Sequence, residues 1–296
     1  MGHDAIETKA TQGRTRDMTQ RHVVGLCRFS YPAVGGFQRM HDSTEEREAY
    51  LYAPTRMAQR FAHFEALTLP SVAAQSDPDF SFVVLIGDSL PAPYLDRLRD
   101  ITADIPQVRL FSLPPRRARR AAQHAIVAEL ARLGADRESI QFRLDDDDAV
   151  AVDFVERCRA LADRSEALRD GVRCFGIEFP RGLTVSLSPG GVLAEELTAS
   201  FWACGMAMVI RAGDDKTIMN FPHHKMHHTV PMLVEPRPEM FIRAKHDDND
   251  SGKHYRTGEL RPLTDDQRKR LKWRFALDED RIRRIFSAAA ASPGKA

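Results

Sequence analysis

Apolar residues in the first half of the chain come in short runs, and each run is followed by a polar or glycine-containing stretch. The run over residues 80–86 is apolar at nearly every position and ends at Gly87 and Asp88. Strands of this kind are buried on both faces and are typical of a parallel sheet covered by helices. By length and apolar content, four such runs predict strands, at residues 22–27, 80–86, 108–113 and 140–144.

The segments between these runs have helical spacing. Residues 56–67 place four large apolar side chains on one side of a helix, and Pro70 lies just beyond its predicted end. Helices are also predicted over residues 94–101 and 117–133. An alternation of strand and helix in this order gives right-handed βαβ units. The sequence therefore predicts an α/β fold with a doubly wound, mostly parallel sheet.

The pattern changes in the second half. A predicted helix over residues 154–168 is followed by short β segments without long helices between them, at residues 172–179, 182–188, 203–211 and 240–243. This half predicts a smaller, mixed and partly antiparallel region attached to the sheet. The proline-rich stretch 231–238 predicts a loop. Thr264 and Gln267 have the spacing of a capping box, which predicts a charged C-terminal helix to about residue 290.

Four consecutive aspartates, Asp145 to Asp148, follow the fourth predicted strand directly. Carboxylates this close repel one another, so each needs water or a cation to remain charged. Ligands of open α/β sheets bind outside the carboxyl ends of the strands, which is where this run falls. Mg²⁺ and Mn²⁺ take oxygen ligands and often bind phosphate oxygens in their open positions. The run therefore predicts a site for a metal ion and a diphosphate.

Acidic runs also occur as solvated loops and helix starts. Asp148 or Asp153 could cap the predicted helix that begins near residue 152, since aspartate is a good N-cap residue. The position of the run, behind three strand–helix units, favours the metal site.

Composition narrows the classes of function. The chain has 296 residues, of which 43% are hydrophobic and 29% charged, and its formal net charge is +1. This is ordinary globular composition, and the near-neutral charge argues against general nucleic-acid binding. The four cysteines form no CxxC pair, so neither a structural zinc site nor a dense disulfide framework is expected. Reduced cysteines in a cytoplasmic protein are the simplest interpretation.

Targeting signals are also absent from the pattern. No apolar run reaches the ~18–20 residues of a transmembrane span. Residues 1–20 are polar and charged and lack the apolar centre of a secretory signal, so they predict a disordered N-terminal tail. The predicted location is cytoplasmic, and any contact with a membrane would be peripheral, at its inner face.

Four segments carry a resemblance to a known family. They are the end of the first predicted strand (residues 25–30), the first predicted helix with residues that follow it (56–61, 69–71 and Gln75), the second strand with its aspartate (82–88), and the fourth strand with the acidic run (142–148). The last fits a D-x-D-D motif. With these segments the chain resembles glycosyltransferases of the GT-A fold, the group that includes family 2, and in particular the bacterial family described as "putative rhamnosyl transferase".

The resemblance implies a domain organisation. Residues 21–262 would form one GT-A domain, with a nucleotide-binding half over 21–150 and an acceptor half over 151–262. Residues 263–296 would form a helical tail. In such enzymes a nucleotide-diphosphate sugar lies across the carboxyl ends of the strands.

The resemblance also implies roles for individual residues. Asp147 matches the carboxylate that binds Mn²⁺ or Mg²⁺, Asp145 would face the ribose or the metal, and Asp148 would support them. His246 matches a late histidine that many such enzymes add to the metal. Asp88 matches the acidic residue that holds the nucleobase. The donor-binding residues expected in this way are Arg28, Phe29, Ser30, Arg60, Asp88, Arg119, Arg120, Asp145 and Asp146.

The catalytic base is less clear from the sequence. The Glu-Asp pair that supplies it in many family 2 enzymes is absent from the expected place, and residues 220–228 contain four histidines instead. A base must take a proton from the acceptor hydroxyl as that hydroxyl attacks the anomeric carbon. The candidates are four acidic residues and the histidine cluster, in particular His224: Glu195, Glu196, Asp214, Asp215 and His224.

The predicted function is a metal-dependent transfer of a sugar, rhamnose by the name of the family, from a nucleotide-diphosphate donor to a glycan or a lipid-linked saccharide. Inversion of the anomeric centre is expected from family 2. Two alternatives stay open. The acidic run and the histidines at 223, 224, 227 and 228 could form the two-metal site of a phosphohydrolase or nuclease. The missing Glu-Asp pair also allows a non-catalytic protein that binds nucleotide-sugars.

Overall fold

The structure, a computed structural model, describes residues 21–35, 41–134, 136–246 and 258–291. The tail predicted over residues 1–20 lies outside the described residues. In chain order the strands are β1 (His22–Arg28), β2 (Ser81–Gly87), β3 (Val108–Leu113), β4 (Ser139–Arg143), β5 (Asp148–Val150), β6 (Cys174–Glu178), β7 (Arg181–Ser188), β8 (Gly191–Thr198), β9 (Met206–Ile210), β10 (Met232–Val234), β11 (Phe241–Ala244) and β12 (Arg261–Pro262). The α-helices are α1 (Thr44–Leu51), α2 (Pro54–His63), α3 (Leu69–Ala73), α4 (Ala92–Thr102), α5 (Ala118–Leu133), α6 (Phe154–Arg164), α7 (Asp265–Phe275) and α8 (Glu279–Ala291).

A seven-stranded sheet forms the centre of the molecule, in the order β10-β6-β9-β4-β1-β2-β3. The four strands predicted from the apolar runs, β1 to β4, pair in parallel, with Val24 aligned between Ser81 and Gln141. β9 runs antiparallel to both β4 and β6. The predicted mixed α/β fold with a largely parallel central sheet is therefore confirmed, and the carboxyl ends of β1 to β4 meet at one edge.

A second, five-stranded sheet has the order β12-β8-β7-β11-β5. β5 begins at the last of the four aspartates, so the acidic run crosses from the first sheet to the second. The register aligns Asp148, Arg243 and Thr184 in one row across three of its strands. β8 and β12 were not predicted, because Glu195 and Glu196 interrupt the apolar alternation of β8 and β12 contains only two residues.

The alternation of side chains along the central strands creates a core on each face of the sheet. In β1, Val23 and Cys27 point to the face covered by α2, α3 and α6, whereas Val24 and Leu26 point to the face covered by α5. The first core is the larger. Its centre consists of phenylalanine rings that are almost wholly removed from solvent: Phe29, Phe61, Phe64, Phe82, Phe142 and Phe154.

The first predicted helix continues further than expected. α2 is followed by a π-helical turn over Phe64–Thr68 and then by α3. Pro70 lies in the first turn of α3 rather than beyond a helix end, a position that proline tolerates because the N–H groups of a first turn have no helical partner. Within the π turn, the Thr68 hydroxyl donates to the carbonyl oxygen of Asp148 at 2.8 Å. The irregular turn therefore holds the end of the acidic run.

Three other elements differ from the predictions. The helix predicted over residues 154–168 ends at Arg164, and a 3₁₀ turn over Glu166–Arg169 follows it. The proline-rich stretch expected to be a loop contains β10, which pairs with β6. The polar segment before α2 contains α1, whose N-terminus is capped by the Ser43 hydroxyl.

No helix in the described part of the chain is long and apolar enough to cross a membrane.

The predicted C-terminal helix is two helices that pack against the domain. Ala276, with a φ of 56°, ends α7 in the left-handed conformation. Leu271, Phe275, Ile282 and Phe286 from the two helices are buried in the larger core. α8 lies against α2, β7 and β8. The segment expected as a tail is therefore a structural part of the domain.

This packing can be tested by truncating one ring. We expect Phe275→Ala to lower the free energy of unfolding by about 3–5 kcal/mol, because loss of a fully buried aromatic side chain leaves a cavity. Trp273→Ala is the matched control: Trp273 lies on the same helix with 62% of its surface exposed, and its loss should cost less than about 0.5 kcal/mol. Urea denaturation followed by circular dichroism measures both. Equally small effects would show that α7 is a detachable tail.

Candidate active site

The acidic run lies at the edge where the parallel strands end. Asp145 follows β4 and is exposed, whereas Asp146, Asp147 and Asp148 are buried. The Asp148 N–H donates to the Asp145 carbonyl oxygen at 3.1 Å, which closes a tight turn between β4 and β5. Three of the four carboxyl groups therefore point into the protein.

Arg60 and His246 contact the buried carboxylates. Arg60, on α2, donates from one terminal nitrogen to Asp146 Oδ1 at 2.8 Å and to Asp147 Oδ2 at 3.1 Å. His246, which follows β11, places Nε2 at 2.7 Å from the same Asp147 oxygen. Arg60 was predicted to bind the donor. The structure instead places it beneath the aspartates, where its charge offsets theirs.

The buried carboxyl groups differ in pKa. Burial raises the pKa of Asp146 to about 7, although Arg60 opposes the shift. Burial also acts to raise the pKa of Asp147, but the His246 hydrogen bond and the Arg60 charge outweigh it and hold this pKa well below its usual range. Arg60 lies nearer to Asp146 than to Asp147, so the second contact, from His246, decides which carboxylate stays charged. Burial and the neighbouring aspartates raise the pKa of Asp148.

The residues at this edge fit a divalent cation. Asp145 offers an exposed carboxylate, and Asp147 and His246 offer a charged oxygen and an imidazole within 2.7 Å of each other. Asp146 Oδ2 is buried without a hydrogen-bond partner. Oxygen donors with one imidazole suit Mn²⁺ and Mg²⁺. Within the described residues no three such side chains already stand in a metal-binding arrangement.

Two basic side chains, Arg28 and Arg143, lie near Asp145. Arg28 ends β1, and its guanidinium lies 3.7 Å from Asp145 Oδ1. Arg143 ends β4. Burial lowers the pKa of Arg143, and the charge of Asp145 opposes this shift. Two guanidinium groups beside an exposed carboxylate give this edge the charges that a cation and a diphosphate would require.

A groove of about 730 Å³ opens next to His246. Its walls are α2, the turn between β7 and β8, and α8. The His63 ring lines it, 4.4 Å from the His246 ring and 5.0 Å from the Phe286 ring between centroids. His63 Nδ1 is hydrogen-bonded to the Gln59 carbonyl oxygen at 2.9 Å, and Nε2 is buried without a partner. The groove therefore reaches His246, which in turn contacts Asp147.

Other predicted donor residues lie along the same edge. Asp88 is exposed at the end of β2, and Arg119 and Arg120 are exposed in the first turn of α5, after β3. Ser30 is buried with a left-handed φ of 45°. These positions surround the carboxyl ends of the parallel strands, and their donor roles stay predictions.

Phe29 is a correction. Its side chain has no exposed surface, and its ring packs 5.0 Å from Phe61 and 5.1 Å from Phe64 between centroids. A ring in the centre of the apolar core cannot stack on a nucleobase. The donor role of Phe29 came from the resemblance, and in this chain the segment after β1 turns into the core.

The acidic candidates for the base do not converge on the aspartates. Glu195 accepts from the Gly258 N–H at 2.9 Å, and Glu196 pairs with Arg270 of α7, so both are engaged on the second sheet. Asp214 and Asp215 pair with Arg173. They follow β9, whose last residue aligns with the first of β4, so they lie at the opposite edge of the central sheet. None of these four residues is therefore proposed as the catalytic base.

The histidine cluster forms a 3₁₀ helix over His223–His228. His224 is exposed on it. His223 bonds to the carbonyl oxygen of Phe201, and the His227 ring stacks on the Phe201 ring, 4.1 Å between centroids. His223 and His227 therefore both contact Phe201, which gives no support to the two-metal site of a hydrolase.

Sequence reasoning missed Arg143, Glu178 and His63. Arg143 and Glu178 each occupy the last position of a strand, β4 and β6. A charged side chain at the carboxyl end of a predicted strand was the available signal. His63 had no signal, because nothing in the sequence sets a single histidine within a predicted helix apart.

The support that Arg60 gives can be tested at two pH values. At about pH 8 we expect Arg60→Gln to lower the free energy of unfolding by about 3–5 kcal/mol, because it leaves buried carboxylates without their cation. Burial already holds the folded-state pKa of Asp146 above its usual value, and loss of Arg60 removes the charge that opposes this shift. A group with a raised folded-state pKa contributes stability at low pH that is lost as pH rises through that pKa. The deficit should shrink at about pH 5. Arg99→Gln, in the exposed pair with Asp96, is the control and should matter by less than about 0.5 kcal/mol. A deficit that is the same at both pH values would contradict the charge balance.

Known proteins provide the comparison for this site. The family model described as "Putative rhamnosyl transferase" matches residues 22–257. No match was found among curated proteins. Among solved structures, S. aureus TarS 1–349 has 10% identity and a TM-score of 0.37, over 75% of this chain and 60% of that chain. The complex of TarS 1–349 with UDP-GlcNAc has 9% identity and a TM-score of 0.39, over 79% of this chain and 61% of that chain.

A 4-diphosphocytidyl-2C-methyl-D-erythritol synthase is also similar, with 13% identity and a TM-score of 0.33, over 73% of this chain and 90% of that chain. At such low TM-scores these neighbours do not bear on the site. The family model, by contrast, extends from β1 to the residues beyond β11 and includes every aspartate of the acidic run. The chain therefore belongs to the family described as "Putative rhamnosyl transferase".

Proposed function

We propose that this protein transfers a sugar from a nucleoside-diphosphate donor in a metal-dependent reaction. One observation carries the proposal: where the parallel strands end, His246 contacts Asp147, and Asp145, two residues before Asp147, lies beside Arg28. The two carboxylates attract a cation, and the guanidinium of Arg28 attracts the anion that accompanies this cation. A diphosphate with Mn²⁺ or Mg²⁺ satisfies both.

The metal would be held by Asp145, Asp147 and His246. When bound, it would supply electrostatic stabilisation of the charge on the departing diphosphate. The protein contributes the rest from its own residues. Arg60 keeps the buried carboxylates at fixed positions, and Arg28 and Arg143 offer guanidinium groups that can grip phosphate oxygens in pairs.

The nucleoside would lie towards β2 and β3. Asp88 directly follows β2, and a carboxylate there can accept hydrogen bonds from a nucleobase. Arg119 and Arg120 stand at the start of α5, where the N–H groups of a helix N-terminus also favour anions. The exposed positions of these three side chains leave them free to reach a ligand across the strand ends.

The donor sugar is proposed to be rhamnose, which rests on the family description alone. The TarS structure in complex with UDP-GlcNAc shows that protein with a nucleotide-sugar. The acceptor is proposed to be a hydroxyl of a glycan or a lipid-linked saccharide, with inversion at the anomeric carbon. A cytoplasmic location with peripheral contact at the inner face of the membrane stays a prediction.

Donor binding is tested by thermal shift with a panel of uridine, guanosine and thymidine diphosphate sugars, with and without Mn²⁺. A ligand that binds only the folded state at 100 times its Kd stabilises it by about 2.7 kcal/mol. We expect one nucleotide class to raise the melting temperature only when Mn²⁺ is present. Asp147→Asn should remove the Mn²⁺-dependent part of the shift and the release of nucleoside diphosphate while the protein stays folded.

Asp104→Asn is the matched control, since Asp104 is an exposed aspartate after α4, away from the strand ends. It should behave as the wild type does. A metal-independent shift that Asp147→Asn leaves intact would remove the metal from the proposal. Stabilisation by no nucleotide in the panel would refute donor binding.

A further inference from the structure

We propose that His223 is the general base that deprotonates the acceptor hydroxyl. This inference rests on the proposed glycosyl transfer and assigns the role that none of the four acidic candidates can fill. It follows from three features of the segment that contains His223: where the chain returns, which ring nitrogen carries the proton, and what holds the ring in place.

The chain returns to the active edge after β9. Because β9 is antiparallel to β4, it leads away from the aspartates, and Ile210 aligns with Ser139 at the far edge. The segment that follows runs back along β4, where the Ile218 N–H donates to Gln141 Oε1 at 3.0 Å. Two residues beyond Gln141 on the same face of β4 is Arg143. The 3₁₀ helix that begins at His223 therefore comes to the carboxyl end of β4.

The hydrogen bond of His223 fixes its tautomer. Nδ1 lies 2.5 Å from the carbonyl oxygen of Phe201. A carbonyl oxygen only accepts, so Nδ1 carries the proton and donates it, and Nε2 keeps its lone pair. Within the described residues Nε2 makes no hydrogen bond. A neutral imidazole with an available Nε2 is the form that a general base requires.

The backbone of Phe201 has an unusual conformation, and it directs the Phe201 carbonyl oxygen towards His223. Its φ is 61°, in the left-handed region that residues other than glycine rarely adopt. The Phe201 N–H donates to Glu178 Oε1 at 2.6 Å, and Glu178 is almost wholly buried at the end of β6. The Phe201 ring stacks on His227. Strain of this kind persists where the surroundings enforce it and is concentrated at functional sites.

The surroundings of His223 favour its neutral form. Burial is the main cause that lowers the pKa of His223, and the charges of Arg143 and His224 act in the same direction, whereas the Phe201 hydrogen bond and the charge of Asp145 partly oppose them. Glu178 is a positioning residue, because it acts through Phe201. Arg143 ends β4 and Asp145 follows it, at the edge where the donor diphosphate would lie. Because His223 lies near both residues, it would face the anomeric carbon from the acceptor side.

The reaction step balances without a further reagent. The acceptor O–H proton moves to His223 Nε2 while the acceptor oxygen forms a bond to the anomeric carbon. The bond from that carbon to the diphosphate oxygen breaks, and its electron pair leaves on the nucleoside diphosphate. The imidazolium then returns its proton to solvent.

The test separates donor binding from turnover. The probe is the nucleotide-sugar that stabilises the wild type most in the thermal-shift panel with Mn²⁺, and the readout is release of nucleoside diphosphate with water as the acceptor. In His223→Asn the amide nitrogen can still donate to the Phe201 carbonyl, but no basic nitrogen replaces Nε2. We expect unchanged donor affinity and a rate lower by about 10²–10⁴-fold.

His228→Asn is the control, because His228 is an exposed histidine on the same 3₁₀ helix, and this variant should keep the wild-type rate.

Two further readouts distinguish a base from a structural residue. The wild-type rate should fall at low pH as His223 becomes protonated, with a midpoint below the ordinary histidine pKa of about 6.5, and His223→Asn should lack this limb. Added imidazole should restore part of the rate in His223→Ala. Donor binding with an undiminished rate in His223→Asn, or a wild type that binds donor and releases no nucleoside diphosphate, would overturn the assignment. Failure of every nucleotide-sugar to bind would instead refute the proposed function, and this inference with it.

Discussion

The contact of one guanidinium with two buried carboxylates makes the acidic edge of this protein feasible. Three adjacent aspartates removed from water would repel one another and destabilise the fold. Arg60 reaches Asp146 and Asp147 from α2, and His246 adds a contact to Asp147 from the second sheet. The irregular path of the chain after α2 and the crossing from β4 to β5 both serve this arrangement, because they bring α2, β4 and β11 to one point.

Much of the fold could be predicted from the sequence. β1 to β4 have apolar runs whose length and burial leave few alternatives, and their order with α4 and α5 determines a parallel sheet. The second sheet was less accessible. β8 carries two adjacent glutamates and β10 lies among prolines, so local pattern did not indicate strands that only pairing partners stabilise. The π turn after α2 likewise depends on a tertiary contact, between Thr68 and Asp148.

The site divides in the same way. The aspartates were visible because four carboxylates at the end of a strand have few structural uses, and His246 was found through resemblance. Phe29 was misplaced because sequence alone does not show which way a strand exit turns. Glu195 and Glu196 failed as base candidates because β8 belongs to the second sheet, where both side chains already have partners. Asp214 and Asp215 failed because β9 runs antiparallel to β4, so the residues after β9 begin at the opposite edge of the sheet. The same reversal brings the histidine cluster back, which no local pattern reveals.

The C-terminal helix α8 has a further consequence. Its Phe286 side chain packs against His63, and its last turns form one wall of the groove beside His246. The family model ends at residue 257, before this helix begins. Substitutions in this helix would therefore reshape a wall of the groove beside His246 while every aspartate of the acidic run stays in place.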